Sequence, residues 1–230
     1  MKGTKGNGGD FKDQIYEQFA RIGKAAASPR RLEILDLLCQ GEKTVEELAE
    51  HARIDIKNAS AHIKVLRGAR LLESRRDGKY VHYRLADPAV GAFWLSLRSL
   101  AERRLSEIHE TVKTFFAEPE RMRAIDRRTL LARARRGDVV VLDVRPADEY
   151  AVGHLPHARS LPLSELKRRL STLPRGKEIV AYCRGPYCVL SQQAVEFLRR
   201  RGFKAVRLDD GVLEWRTAGM PIESLKRKSA

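Results

Sequence analysis

The chain has 230 residues, 43% of them hydrophobic, which is enough for one large domain or two of ordinary size. Its 45 basic residues outnumber 30 acidic ones, giving a net charge of +15 and a pI near 10.1, a balance that suits either an anionic partner, nucleic acid before others, or a solvated basic surface. Cys39, Cys183 and Cys188 are too few for a disulfide scaffold, no run approaches a membrane span, and the opening MKGTKGNGGDFKDQ lacks the apolar core of a signal peptide, so the expectation is a cytoplasmic protein with reduced thiols and no membrane partner.

Residues 1–10 read as a disordered, Gly-rich tail. Phe11, Ile15, Phe19 and Ile22 then recur at helical spacing and predict a helix over 11–27. Ser28-Pro29 caps and opens a second helix, roughly 29–39. Thr44 with Glu47 makes a capping box for a short helix at 45–51, and Asp55 precedes another at about 56–67. Three short helices with tight connections predict a helix-turn-helix. The segments around 74–76 and 80–83 are strand-like, and Asp77-Gly78 between them is a hairpin signal, so a wing follows. A single long helix is expected after Pro88, reaching about Ala117, with Trp94, Leu97, Leu100, Leu105, Ile108, Val112 and Phe115 on its apolar stripe. That stripe exceeds what one small domain needs and predicts cover from a dimer partner.

The polar break around Pro119 predicts a linker at 118–124. Residues 119–230 hold 24 basic and 13 acidic residues, so most of the net charge lies beyond it. There the pattern alternates: helix 128–136, apolar strand 139–142, helix 164–170, strand 179–182, helix 190–201, strand 205–208 and a short helix at 212–217. Alternation of this kind predicts an α/β domain over 125–223 with a parallel sheet flanked by helices, followed by a basic tail at 224–230. Active sites in such sheets lie at the carboxyl ends of strands, and Cys183 stands at one. The run CRGPYC, residues 183–188, enters a helix, where backbone N–H groups stabilise a thiolate, a persulfide or a bound anion. Arg184 adds positive charge, Gly185 allows a tight turn and Pro186 stiffens it.

The segment from Ser28 to Asp87, with cap, helix, turn, helix, KVLR and wing in order, resembles the winged-helix ArsR/SmtB family of transcriptional regulators. With the flanking helices the likeness covers 11–117. It implies a mainly α winged helix-turn-helix domain, a homodimer joined through the first and last helices, and a recognition helix in the major groove of double-stranded DNA. Lys57, Asn58, Ser60 and Lys64 would face DNA, Asn58 able to read adenine, while Ala59, Ile63 and Leu66 turn inward. Arg75, Arg76 and Lys79 on the wing would hold the backbone or minor groove. Family members that sense metals do so through cysteine pairs or His/Asp sets; here residues 44–50 read TVEELAE and the last helix offers His109 among Glu107 and Glu110, so no metal is expected. Those that sense reactive sulfur use two cysteines, but residues 88–117 contain none, which leaves Cys39 as a small core residue.

The blocks VVVLDVRPADEYAVGHLPHARSLPLSEL, IVAYCRGPYCVLSQQAVEFLRRRGF and VRLDDGVLEWRTAGMPI resemble the rhodanese family. The likeness implies sulfurtransferase chemistry: Cys183 accepts a sulfane sulfur from a small donor as a persulfide and passes it to a thiol acceptor, without a cofactor. Tyr187 and Cys188 complete the loop, and Asp143, Arg145, Glu149 and His154 are expected to support it. Rhodanese-like phosphatases and arsenate reductases carry an arginine six positions after the cysteine; that position is Val189, which excludes them. Cys188 has two readings: it resolves the persulfide as a disulfide, or it is a small residue that fits the loop. Two readings of the whole also stand. One is a DNA-binding regulator, a repressor, coupled to sulfane sulfur. The other is a sulfurtransferase whose helical half dimerises or acts independently.

Overall fold

The computed structural model describes residues 8–116 and 126–225. The expected linker at 118–124, and most of the expected tails at 1–10 and 224–230, lie outside the described residues. Contacts divide the chain into two compact units, Met1–Ser96 and Leu97–Ala230.

The first unit opens with α1 (Gly8–Ala26) and α2 (Pro29–Leu38), the latter starting after Ser28 with proline in its first turn. A two-residue strand β1 (Lys43–Thr44), not expected from sequence, leads into α3 (Val45–Ala52). The Thr44–Glu47 capping box is formed, with the Thr44 N–H donating to Glu47 at 2.6 Å and the Glu47 N–H donating to Thr44 Oγ1 at 3.3 Å. Next come α4 (Ile56–Gly68) and the wing, β2 (Leu72–Asp77) and β3 (Tyr80–Leu85), whose register closes with Asp77 opposite Tyr80. Gly78, at φ +57°, supplies the turn that a side chain would resist. The sheet order is β1-β3-β2, all antiparallel. Ile34, Leu35, Leu48, Ala52, Ile63 and Leu66 form the centre of this unit's core.

The expected single helix after Pro88 is two: α5 (Pro88–Arg104) and α6 (Ser106–Phe115), with Leu105 extended between them. The apolar stripe itself explains the break. Its steps are three or four residues except from Leu100 to Leu105, where a step of five leaves the helical face.

The second unit continues with α7 (Arg127–Arg136), β4 (Val139–Asp143), α8 (Ala147–Val152), β5 (Arg159–Ser160), α9 (Leu163–Leu166), β6 (Glu178–Tyr182), α10 (Val189–Arg200), β7 (Ala205–Arg207) and α11 (Val212–Thr217). The four strands are parallel in the order β5-β4-β6-β7. α8 and β5 were not expected. The helix expected at 164–170 is the shorter α9, followed by a 3-10 turn at Leu170–Thr172. The apolar runs are continuous because both faces of the sheet are covered. Val140, Leu142, Ile179 and Ala181 pack with Leu166, Ala194, Val195 and Leu198. Val139, Val141, Val180 and Tyr182 pack on the opposite face with Leu130, Val212 and Trp215. The α/β unit with a parallel sheet is the one expected. Among the described residues no helix is long and apolar enough to cross a membrane.

Candidate functional site: the cysteine loop and the nucleic-acid face

β4 and β6 are neighbours in register, so Asp143 and Tyr182 end side by side at the carboxyl edge of the sheet. Cys183 follows Tyr182, and the chain turns through residues 184–187 to Cys188, the N-cap of α10. The Cys188 N–H donates to the Gly185 carbonyl at 3.2 Å, which closes the turn. Cys183 and Cys188 are joined as a disulfide with Cα atoms 6.2 Å apart, within the usual range for such a bond. This corrects the expectation of reduced thiols throughout: the loop bends far enough to bring the two sulfurs together. Cys183 is 1% exposed, so its sulfur is covered in this arrangement of the loop. Cys39, partly buried at the end of α2, takes no part in the disulfide.

Three buried systems hold this loop. Asp143 accepts from Arg145 at 2.6 Å, Arg145 also donates to the Gly153 carbonyl at 2.7 Å, and the Tyr182 hydroxyl donates to Asp143. The Leu155 N–H in turn donates to the Tyr182 hydroxyl at 3.1 Å, so the residue before Cys183 is tied to both the 143–145 and 153–155 turns. Burial opposes the Arg145 charge, but the bond to Asp143 more than offsets it and holds the guanidinium protonated. Burial first, then the Asp143 carboxylate, push the Tyr182 phenol well above its ordinary range. Secondly, Arg184 grips the buried Glu149 carboxylate at 2.7 and 3.1 Å. Its charge is therefore matched by Glu149. Thirdly, Arg207 at the end of β7 donates to the Pro186 carbonyl, lies 3.1 Å from Asp209 and stacks 4.1 Å from the Phe116 ring centre. Burial lowers the Arg207 pKa and raises that of Asp209.

His154, expected to support the loop, is buried instead against Tyr150 and Glu223: its Nδ1 meets the Tyr150 carbonyl at 2.8 Å, its ring stacks on Tyr150 and its Nε2 lies 3.7 Å from Glu223. Gly211, before α11, admits the loop: a Cβ there would lie 2.5 Å from the Arg184 carbonyl oxygen. Sequence reasoning named Asp143, Arg145, Glu149 and the loop itself. The roles of Tyr182, next to Cys183, and of Arg207, Gly211 and Glu214, which touch the loop from distant segments, were not legible there.

On the first unit, Lys57, Asn58, Ser60 and Lys64 are exposed on α4, while Ala59, Ile63 and Leu66 are buried. The Asn58 side-chain amide donates one of its two N–H groups to Asp55 at 2.5 Å, which holds it against the cap of α4. Arg75 is bound to Glu42 at 3.1 Å and Asp77 at 3.0 Å, partners that raise its pKa, whereas Arg76 and Lys79 extend from the wing tip. A groove of about 930 Å³ separates α4 from the wing, and it adds Arg67, Arg70 and Ser74 to Ser60 and Lys64 as polar lining. Lys64 and Arg67 stand three residues apart on α4, which was the signal available for Arg67, while Arg70 lies beyond the end of that helix.

Comparison with known proteins agrees with this division. The model for bacterial regulatory proteins of the arsR family matches residues 28–74, and the rhodanese-like domain model matches 126–218. An HTH-type transcriptional regulator of Mycobacterium tuberculosis, Rv0324, is 42% identical over 93% of this chain and 94% of its own length. A sulfurtransferase of Allochromatium vinosum is 34% identical over 37% of this chain and 78% of its own. A probable mercury resistance operon repressor of Streptomyces lividans is 38% identical over 36% of this chain and 66% of its own.

Proposed function

The chain belongs to the ArsR family of winged helix-turn-helix regulators, in a form that continues into a rhodanese-like domain, and from that premise we propose that its DNA binding answers to sulfane sulfur taken up at Cys183. It is a DNA-binding transcriptional regulator. The observation that carries the finer reading is the Cys183–Cys188 disulfide in a loop between a buried strand and a helix N-terminus. The Cys183 thiolate attacks the outer sulfur of a small persulfide donor; the new S–S bond forms on Cys183 and the donor leaves as a thiolate. The Cys188 thiolate then attacks Cys183 Sγ. The protein disulfide forms, the bond to the transferred sulfur breaks, and that sulfur leaves as hydrosulfide. The sulfane sulfur gains the two electrons that the two cysteines lose, and a thiol reductant later resets the pair. A homodimer acting as a repressor, joined through α1 and the α5–α6 segment, completes the reading; Phe11, Phe19 and Phe115 are exposed on those helices and suit a partner's apolar face.

The test is operator affinity before and after a sulfane-sulfur donor, in wild type, Cys183→Ser and Cys188→Ser. The operator is selected on the purified protein, and mass spectrometry follows the sulfur. A shift in wild type that disappears in Cys183→Ser supports the reading. Unchanged affinity while Cys183 demonstrably carries sulfur defeats it and leaves a regulator fused to an independent sulfurtransferase.

A further inference from the structure

Within the second unit, the exposed edge of the cysteine loop is held by the C-terminal part of α5. Arg98 and Glu102 stand four residues apart on one face of that helix, 3.4 Å from each other. Arg98 donates to Glu214 Oε1 at 2.7 Å, in a pair whose side chains are 13% and 10% exposed. Glu214 also accepts the Gly211 N–H at 2.8 Å, and its carboxylate lies against Gly185, where a Cβ would come within 3.0 Å. Glu102 accepts the Tyr187 hydroxyl at 2.6 Å, and the Arg98 guanidinium lies 6.0 Å from the centre of the same ring. Two residues of one helix thus reach two residues of the turn between the cysteines, one through Glu214 and one directly. Desolvation, then the bond to Glu102, raise the Tyr187 pKa, so the hydroxyl remains a donor at neutral pH.

We propose that Arg98 and Glu102 are positioning residues for the cysteine pair. They hold Gly185 and Tyr187 in the bend that places Cys188 on Cys183, and they are where the sulfur state of the loop is felt by α5. When Cys183 carries a persulfide or both thiols are free, the turn is released from the constraint of the disulfide, and Tyr187 and Glu214 shift relative to Glu102 and Arg98. The transmission half of this inference rests on the sulfur-responsive reading above; the positioning half does not.

The experiment uses the full chain in glutathione redox buffers. Alkylation and mass spectrometry measure the fraction of Cys183–Cys188 disulfide, with and without the selected operator DNA. Wild type is compared with Tyr187→Phe, Glu102→Ala, Glu102→Gln and Arg98→Ala, each checked for an unchanged thermal midpoint. Tyr187→Phe and Glu102→Ala are expected to shift the dithiol–disulfide equilibrium toward dithiol by at least about fivefold, without adding in the double variant, because they remove the same bond. Glu102→Gln, which still accepts from Tyr187, is expected to keep the equilibrium near that of wild type. Linkage requires that operator DNA move the wild-type equilibrium by the same factor as the disulfide changes operator affinity. That factor is expected to fall toward one in Arg98→Ala and Tyr187→Phe. Variants that keep both the wild-type equilibrium and the wild-type DNA effect overturn the proposal. A wild-type equilibrium indifferent to DNA defeats the sulfur-responsive reading and the transmission half with it, while the positioning half is still decided by the variants' redox equilibria.

Discussion

The Arg184 guanidinium meets the Glu149 carboxylate through two of its nitrogens, at 2.7 and 3.1 Å, and Glu149 is 1% exposed. The arginine beside Cys183 is thus a strut between the loop and α8 before it is a source of charge for the thiol. Removing only the carboxylate leaves a largely buried cation without its match. Glu149→Ala is expected to destabilise the second unit by about 3–5 kcal/mol, the range for breaking a buried pair from one side. Urea unfolding followed by Trp fluorescence reads this; a loss under about 1 kcal/mol would mean that water replaces Glu149 at little cost.

Gly211 matters for a reason unrelated to its flexibility. A Cβ there would lie 2.5 Å from the Arg184 carbonyl oxygen and 2.9 Å from that of Cys183, and both are backbone atoms that cannot rotate aside. Gly211→Ala is expected to push the loop off α11 at a cost of about 1–3 kcal/mol, as overpacking generally does. It should also slow sulfur uptake by Cys183 more than it lowers stability. Sulfide release from a polysulfide donor, measured beside the urea midpoint, separates the two effects; wild-type uptake in this variant would show that the loop does not depend on its seat against Gly211.

What could be read from sequence was what is local along the chain. The Thr44–Glu47 box, the Asp77-Gly78 turn and the Val139–Asp143 strand each declare themselves within a few residues. So does a cysteine between an apolar run and a helix start. The break at Leu105 was also present, as a five-residue step in an otherwise helical stripe, but a continuous stripe was the simpler reading. The supports of the loop were hidden because they pair across long separations: Glu102 with Tyr187 is 85 residues, Arg98 with Glu214 is 116. Nothing in the local composition of α5 distinguishes Arg98 and Glu102 from an ordinary exposed i, i+4 pair. The bond of Asn58 to Asp55 was hidden for another reason. Asp55 was legible as a cap, but its second oxygen also takes the side-chain amide that was expected to face DNA.

Alkaline stability follows from Tyr182. Its folded-state pKa is raised by burial and by Asp143, while the unfolded phenol titrates near its ordinary value of about 10. Between those values the folded state holds a proton that the unfolded state has lost, so stability is full below about pH 10 and falls as pH rises. Tyr182→Phe is expected to remove this part of the alkaline loss. At neutral pH the same variant should cost about 1–3 kcal/mol, because the Leu155 N–H loses its buried acceptor and Asp143 a donor. Urea midpoints of both proteins from pH 7 to 11 check the pair of effects. Parallel curves for the two would mean that other groups cause the alkaline loss.

The wing separates two arginines that look alike in sequence. Arg75 is held by Glu42 and Asp77, whereas Arg76 and Lys79 lie exposed near the turn. A phosphate contact contributes about 0.9 to the slope of log affinity against log salt. Arg76→Ala and Lys64→Ala are each expected to lower that slope by about one and to weaken operator and random DNA alike. Arg75→Ala should change the slope less, since its charge is already matched within the protein. Instead it should loosen the wing against Glu42. Titrations of operator DNA over a range of salt decide between these. If Arg75→Ala lowers the slope as much as Arg76→Ala does, then Arg75 exchanges its carboxylate partners for phosphate on binding, and the ion pairs of the free wing serve to keep it poised.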